Sequence, residues 1–140
     1  MNTRTPNRLI PADFPTMPGL DLLEAISVSV GSPADDADAI GYLVFTDADV
    51  PAGLGLDRDA LVRAGFEAKA GSSLLAPTSS GPEIIAVGAG ALAEFTAVTL
   101  RDAAAALVRA ATTRSRFAFV VASVGSLDGG AAAQAITEGA

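Results

Sequence analysis

The segment Glu83-Ile84-Ile85-Ala86-Val87, closed by Gly88-Ala89-Gly90 and followed by a helical run opening at Thr99, decides the fold. A short, uninterrupted apolar run rich in β-branched residues is the pattern of a buried strand. In the helical run, Leu100, Ala103, Ala104, Leu107, Val108 and Ala111 recur at helical spacing and form one apolar face. The alanines on that face let a helix lie close on a sheet. Thr99 is the expected N-cap, with Asp102 at the third helical position. A strand leading into a helix of this kind is the unit of a layered α/β domain.

Working toward the N-terminus, Ser73-Leu74-Leu75-Ala76 reads as a partner strand, joined to Glu83 through the turn Pro77–Pro82. Before it lies a helix with clear punctuation, expected over Arg58 to Ala64. Asp57 serves as N-cap, Leu56 staples onto Leu61, and Gly65 takes the left-handed C-terminal cap with Phe66 folding back. Ile40–Phe45 is a continuous apolar run suited to a central strand covered on both faces. Ile26, Val28 and Val30 alternate with Ser27 and Ser29, as in a strand with one buried face. Residues 1–20 carry four prolines and read as a flexible N-terminal arm, leaving 21–140 as a single domain. Toward the C-terminus, Phe117–Ala122 is another expected buried strand, and Asp128 opens a last helix from Gly129. That helix is still in pattern at Glu138, so the chain is expected to be cut from a longer one. Its alanines are then expected to expose apolar surface and to favour self-association. Strands interspersed with helices give a three-layer αβα architecture with a mixed sheet.

Composition narrows the function classes. The chain has 140 residues, enough for one domain with a real core. Half the residues are hydrophobic and the mean hydropathy is +0.43, which excludes a disordered chain. With no cysteine and no histidine, there is no disulfide, thiol nucleophile, imidazole base or His-ligated metal. A net charge of −7 disfavours nucleic acid. Arg101, Arg109, Arg114 and Arg116 form a basic zone, but Asp102 interrupts it and no aromatics interleave. No apolar run reaches the 18 residues or so of a membrane span, and no signal-peptide pattern follows Arg4 and Arg8. A soluble, cytoplasmic, bacterial protein is expected.

The candidate sites each have a plainer structural role. Gly88-Ala89-Gly90-Ala91-Leu92-Ala93 fits G-x-G-x-x-A, the dinucleotide fingerprint, which makes Gly88 and Gly90 the candidate cofactor-binding residues. The mechanism requires the helix to start at the glycines, whereas Thr99 comes nine residues after Gly90. Two glycines ending a strand explain the motif better. Asp36, Asp38 and Asp47 trace an EF-hand outline that Ile40 breaks. Asp47 with Asp49, and Asp57 with Asp59, are possible carboxylate pairs but read as a polar connection and as a cap with a first-turn acid. Lys69, the sole lysine, sits in a hydrophilic linker. Ser72, Ser73, Ser79, Ser123 and Ser126 have no histidine to activate them. The residues supply no catalytic site and no metal site.

Taken together, several segments resemble the N-terminal domain of the leucyl (cytosol) aminopeptidase family. They are Leu61–Gly71 with its Phe66 and Lys69-Ala70-Gly71, Leu74–Pro77, Ile85–Gly90 with Val87-Gly88-Ala89-Gly90, Thr99–Ala105 with Arg101-Asp102-Ala103, and Ala135–Ala140 with Glu138-Gly139. The resemblance covers roughly residues 58–140 and rests on the order and spacing of these motifs. Ala89 is smaller than the residue the family usually places there. The resemblance implies a macro-domain-like fold and a non-catalytic accessory or assembly domain. The parent it implies is a hexameric leucyl aminopeptidase that removes N-terminal residues from peptides. Its two divalent metal ions, zinc or manganese, and its catalytic residues are expected in a C-terminal peptidase domain. The other reading is a stand-alone macro-like module binding ADP-ribose or a related nucleotide, with Gly88, Gly90 and the amides after them cradling phosphates.

Overall fold

The computed structural model describes residues 27–32, 36–121 and 125–140 of the chain. Four strands form one mixed sheet: β1 (Ala39–Phe45), β2 (Ser73–Ala76), β3 (Glu83–Gly90) and β4 (Phe117–Val120), in the order β2-β3-β1-β4. β1 runs parallel to both β3 and β4, and β2 is antiparallel to β3. Three helices flank the sheet: α1 (Arg58–Arg63), α2 (Ala97–Ala110) and α3 (Gly129–Gly139). The mixed sheet with helices on both faces is the expected three-layer α/β arrangement.

The two-residue period of the strands sorts side chains between two cores. Leu43, Phe45, Ile85, Val87 and Ala89 face α2 and α3, where they meet Leu100, Ala103 and Leu107 of α2 and Ala132 and Ala135 of α3. Val44, Ala76 and Ala86 face the other way, onto Leu61 of α1, Leu54 and Phe66. β1 and β3 are thus buried on both faces, as a strand flanked by strands and roofed by helices must be. α2 lies close on the sheet: a Cβ at Gly41 would press on the Leu107 side chain. α3 lies equally close on α2, because a Cβ at Gly139 would fall under 3.0 Å from Arg101 backbone and Ala104.

The α1 punctuation is realised. Asp57 accepts a hydrogen bond from the Ala60 N–H at 2.7 Å. Gly65, at φ +78°, donates to Val62 C=O while Phe66 N–H reaches back to Leu61 C=O, both at 2.9 Å. That is a complete Schellman closure, which a glycine at C′ permits. Asp128 likewise accepts from Gly130 and Ala131 N–H at 2.8 and 2.9 Å, opening α3.

Four expectations are corrected. First, α2 starts earlier, with Thr96 rather than Thr99 as N-cap. Thr96 and Thr99 form a reciprocal capping box, with Thr96 N–H donating to Thr99 Oγ1 at 2.8 Å. Threonine thus fills the position where a Glu or Gln usually stands. Second, Ser27–Val30 lies outside the sheet, with Val28 56% and Val30 88% exposed. β1 already has a parallel neighbour on each side, so no place beside the central strand remains. Ile26 and the proline-rich arm lie outside the described residues. Third, β4 is a half-buried edge strand, with Phe117 39% exposed, rather than a fully buried one. Fourth, the alanines of α3 are divided: Ala132 and Ala135 are buried against α2, while Ala131 and Ala133 are only half-buried.

The cap reassignment has a direct check. Thr96→Ala is expected to cost about 1 kcal/mol in urea unfolding, the usual cost of losing an N-cap. Asp102→Ala on the exposed face of α2 should stay within about 0.5 kcal/mol. The reverse ranking would return the helix start to Thr99.

Candidate functional site

The C-terminal ends of β1 and β3 are where an open α/β sheet ordinarily binds ligands. There the glycines Gly88 and Gly90 are part of β3 itself, its last three residues being Gly88-Ala89-Gly90. The β1–β3 register shifts between Val44 and Phe45, so that Phe45 pairs with Gly90 rather than Ala89. Gly90 sits at φ +76°, which suits a residue without a Cβ.

Both glycine amides in this stretch are already engaged. Gly88 N–H donates to Ser72 C=O at 2.8 Å, and Gly90 N–H donates to Ala68 C=O at 2.9 Å. Gly88 C=O accepts from Gly71 N–H, and Gly90 C=O accepts from Thr46 N–H, both at 3.0 Å. The first amide of the short 3-10 turn Leu92–Glu94 is also taken, because Leu92 N–H donates to Asp47 Oδ1 at 2.9 Å. A carboxylate of the chain thus stands where a phosphate cradle would need a vacant donor. The requirement for a helix starting at the glycines also fails, since α2 begins at Ala97.

The reason for Gly88 is a close approach of backbone. The Ala68–Ser72 loop lies flat on β3, and a Cβ at Gly88 would fall under 3.0 Å from Lys69 C=O, Ala68 carbonyl carbon and Ser72 Oγ. Ala68 is fully buried beneath it at φ +57°, a conformation a non-glycine residue adopts at some cost.

The remaining candidates resolve into structural contacts. The Asp47–Asp49 connection is pinned: Asp47 bonds Leu92 N–H, and Arg58 Nη2 donates to Phe45 and Ala48 C=O at 2.8 and 2.5 Å. Asp57 caps α1 and Asp59 lies in its first turn. Asp38 accepts from Arg116 N–H at 3.1 Å and Asp36 pairs with the Arg116 guanidinium, which leaves no EF-hand loop. The basic zone is largely neutralised, since Arg101 meets Glu138, Arg114 meets Glu83 and Arg116 meets Asp36. Ser72 Oγ donates to Lys69 C=O at 2.6 Å, and Ser73 and Ser79 are exposed. Ser123 lies outside the described residues. Among the described residues, no three His, Cys, Asp or Glu side chains come together to hold a metal ion.

A shallow cleft of about 220 Å³ opens between the end of α1 and the start of β2, lined by Phe66, Glu67, Lys69, Ser72 and Ser73 among others. Lys69 Nζ meets Glu67 Oε2 at its rim at 2.5 Å, with both side chains exposed. That hydrogen bond and charge raise the Lys69 pKa above its ordinary value and lower that of Glu67. A raised lysine keeps its proton, the reverse of what a nucleophilic or basic lysine needs. The sequence offered no signal for the links of Asp47 and Arg58 across the sheet end, because all three partners are backbone groups, ten or more residues away.

The profile described as cytosol aminopeptidase family, N-terminal domain, matches residues 54–140. Two solved structures, the bottromycin maturation enzyme BotP and the same enzyme in complex with Mn, superpose with a TM-score of 0.60 at 30% identity. Each alignment covers 74% of this chain and 22% of that one, so the chain spans about a fifth of the length of these enzymes. No curated protein matches it.

Two predictions follow from the contacts. Gly88→Ala is expected to destabilise by roughly 1–3 kcal/mol, as overpacking against backbone does. Gly129→Ala, whose Cβ meets nothing within 4 Å, should be neutral or stabilising. Equal midpoints in urea would contradict the close approach. The second concerns Glu83, whose carboxyl the Arg114 hydrogen bond holds below its ordinary value of 4.5. A depressed carboxylate contributes stability above that value and loses it as pH falls through the folded value. Arg114→Gln is therefore expected to lower stability slightly at neutral pH and to flatten its decline below pH 4.5. An unchanged acid limb would contradict the pairing.

Proposed function

The chain belongs to the cytosol aminopeptidase family, whose N-terminal domain it matches over residues 54–140, and on that premise we propose that it is a non-catalytic accessory and assembly domain of a leucyl-type metallo-aminopeptidase. The observation that carries this reading is that the match is to the N-terminal domain of the family. The site geometry supports it. The amides of Gly88, Gly90 and Leu92 and the carboxylates of Asp47, Asp57, Glu83 and Asp128 are all engaged in building the domain.

In this reading the parent removes N-terminal residues from peptides as a cytoplasmic bacterial hexamer. Two divalent ions, zinc or manganese, supply the Lewis acid in its C-terminal peptidase domain. The described residues of this chain do not fit such a metal pair, because they gather no set of three potential ligands. The chain's own contribution is a rigid α/β surface that packs on the peptidase domain of the same polypeptide and takes part in oligomer contacts.

The test has two arms. With Mn²⁺ or Zn²⁺ present, the chain alone is expected to show no turnover of leucine p-nitroanilide above the metal blank. Mixed with a family peptidase domain lacking its own N-terminal domain, it should co-sediment with that domain. Turnover by the chain alone, or independent sedimentation, would contradict the proposal.

A further inference from the structure

The cleft between the end of α1 and the start of β2 brings three kinds of surface into a small space. Phe66 and Leu74 supply apolar wall, Ser72 and Ser73 supply hydroxyls, and the Glu67–Lys69 ion pair stands at the rim. Its volume of about 220 Å³ lies below the roughly 300–1,000 Å³ of sites for drug-sized ligands, so it has room for one small molecule.

The rim is fixed in its backbone and free in its side chains. Glu67 and Lys69 flank Ala68, which is fully buried and whose C=O accepts from Gly90 N–H at 2.9 Å. The Lys69 and Glu67 side chains are 77% and 62% exposed. An ion pair so exposed is weak, because water screens both charges. A ligand that offers each charge a new partner therefore opens the pair at little cost. Ser72 Oγ spends its hydrogen on Lys69 C=O at 2.6 Å and can meet a ligand only as an acceptor. Ser73 is exposed beside it, with a hydroxyl that can donate. The cleft thus holds acceptors suited to an ammonium group, donors suited to a carboxylate, and a small apolar wall.

We propose that this cleft binds a free aliphatic α-amino acid as its zwitterion. The α-carboxylate pairs with Lys69 Nζ and the Ser73 hydroxyl, the α-ammonium group pairs with Glu67 and Ser72 Oγ, and the side chain lies on Phe66 and Leu74. A simple anion would face Glu67 and a simple cation would face Lys69, whereas a zwitterion satisfies both. Phe66 is only 4% exposed, so the apolar contact is an edge rather than a pocket floor. Charges in solvent and so small an apolar contact place the affinity in the millimolar range. The biological meaning rests on the aminopeptidase reading proposed above. Free amino acids are the products of that reaction, so the accessory domain carries a site for the product class.

The test is a titration of the full chain with L-leucine, followed through backbone amide NMR shifts. Saturable shifts with a millimolar Kd are expected at Glu67, Ser72, Ser73 and Leu74. Leucinamide, which lacks the carboxylate, and 4-methylpentanoate, which lacks the ammonium group, are each expected to bind roughly tenfold more weakly, as loss of one charge-assisted contact implies. Lys69→Met and Glu67→Gln should weaken leucine binding to a similar degree. Both side chains are exposed, so both variants are expected to fold, with the core amides unshifted. No saturable shift at these amides, equal binding of either analogue, or unchanged leucine binding in Lys69→Met would each overturn the proposal. Co-sedimentation with a peptidase domain is measured without leucine, so the accessory role and the amino-acid site can fail independently.

Discussion

The contact on which the structure most depends is the approach of the Ala68–Ser72 loop to β3 at Gly88. Two stretches of backbone come close enough that no side chain fits between them, and four hydrogen bonds tie Gly88 and Gly90 to Ala68, Gly71, Ser72 and Thr46. This closure carries the chain from the end of α1 into β2 and so fixes the antiparallel edge of the sheet. It also holds Phe66 and Ala68 in the smaller core and places Ala68 in its left-handed conformation. The bond from Thr46 to Gly90 extends the same closure to the end of β1, where Arg58 and Asp47 complete it from either side.

One consequence bears on function. At the strand ends, where open α/β sheets ordinarily bind ligands, the Gly88 and Gly90 amides are taken by carbonyls and Leu92 N–H by the Asp47 carboxylate. Asp57 and Asp128 cap helices, and Arg101, Arg114 and Arg116 pair with Glu138, Glu83 and Asp36 across the surface. These groups serve the shape of the domain. That is what an N-terminal domain of a larger peptidase requires if it works by packing, and it accords with the match to that domain of the family.

Much of this was legible in the sequence where the signal is local. The apolar runs of β1 and β3, the Asp57 and Gly65 caps of α1, and Asp128 before α3 each depend on residues within one turn or one strand. The Thr96 cap was hidden because two threonines three residues apart both have the cap chemistry, and only the Thr96–Thr99 reciprocity chooses between them. Ser27–Val30 shows the limit of periodicity, which describes what a segment can pair with but not whether a place in the sheet is vacant. The roles of Arg58 and Asp47 were invisible for another reason. They bond to backbone of Phe45, Ala48 and Leu92, and backbone has no sequence signature. The glycines were half legible: their pattern marked a strand end, and the order of helix start and glycine argued against a dinucleotide site. The loop lying on Gly88 could not be inferred without coordinates.

The most direct measurement of the central claim is a calorimetric titration of the chain with ADP-ribose, alongside NAD and ATP. With the glycine amides and Leu92 N–H engaged within the chain, the account predicts no binding heat and no shift in melting temperature for any of the three. Micromolar binding that disappears on Gly88→Val would contradict it. The strand end would then be a nucleotide site, and the aminopeptidase likeness would describe the fold without the role.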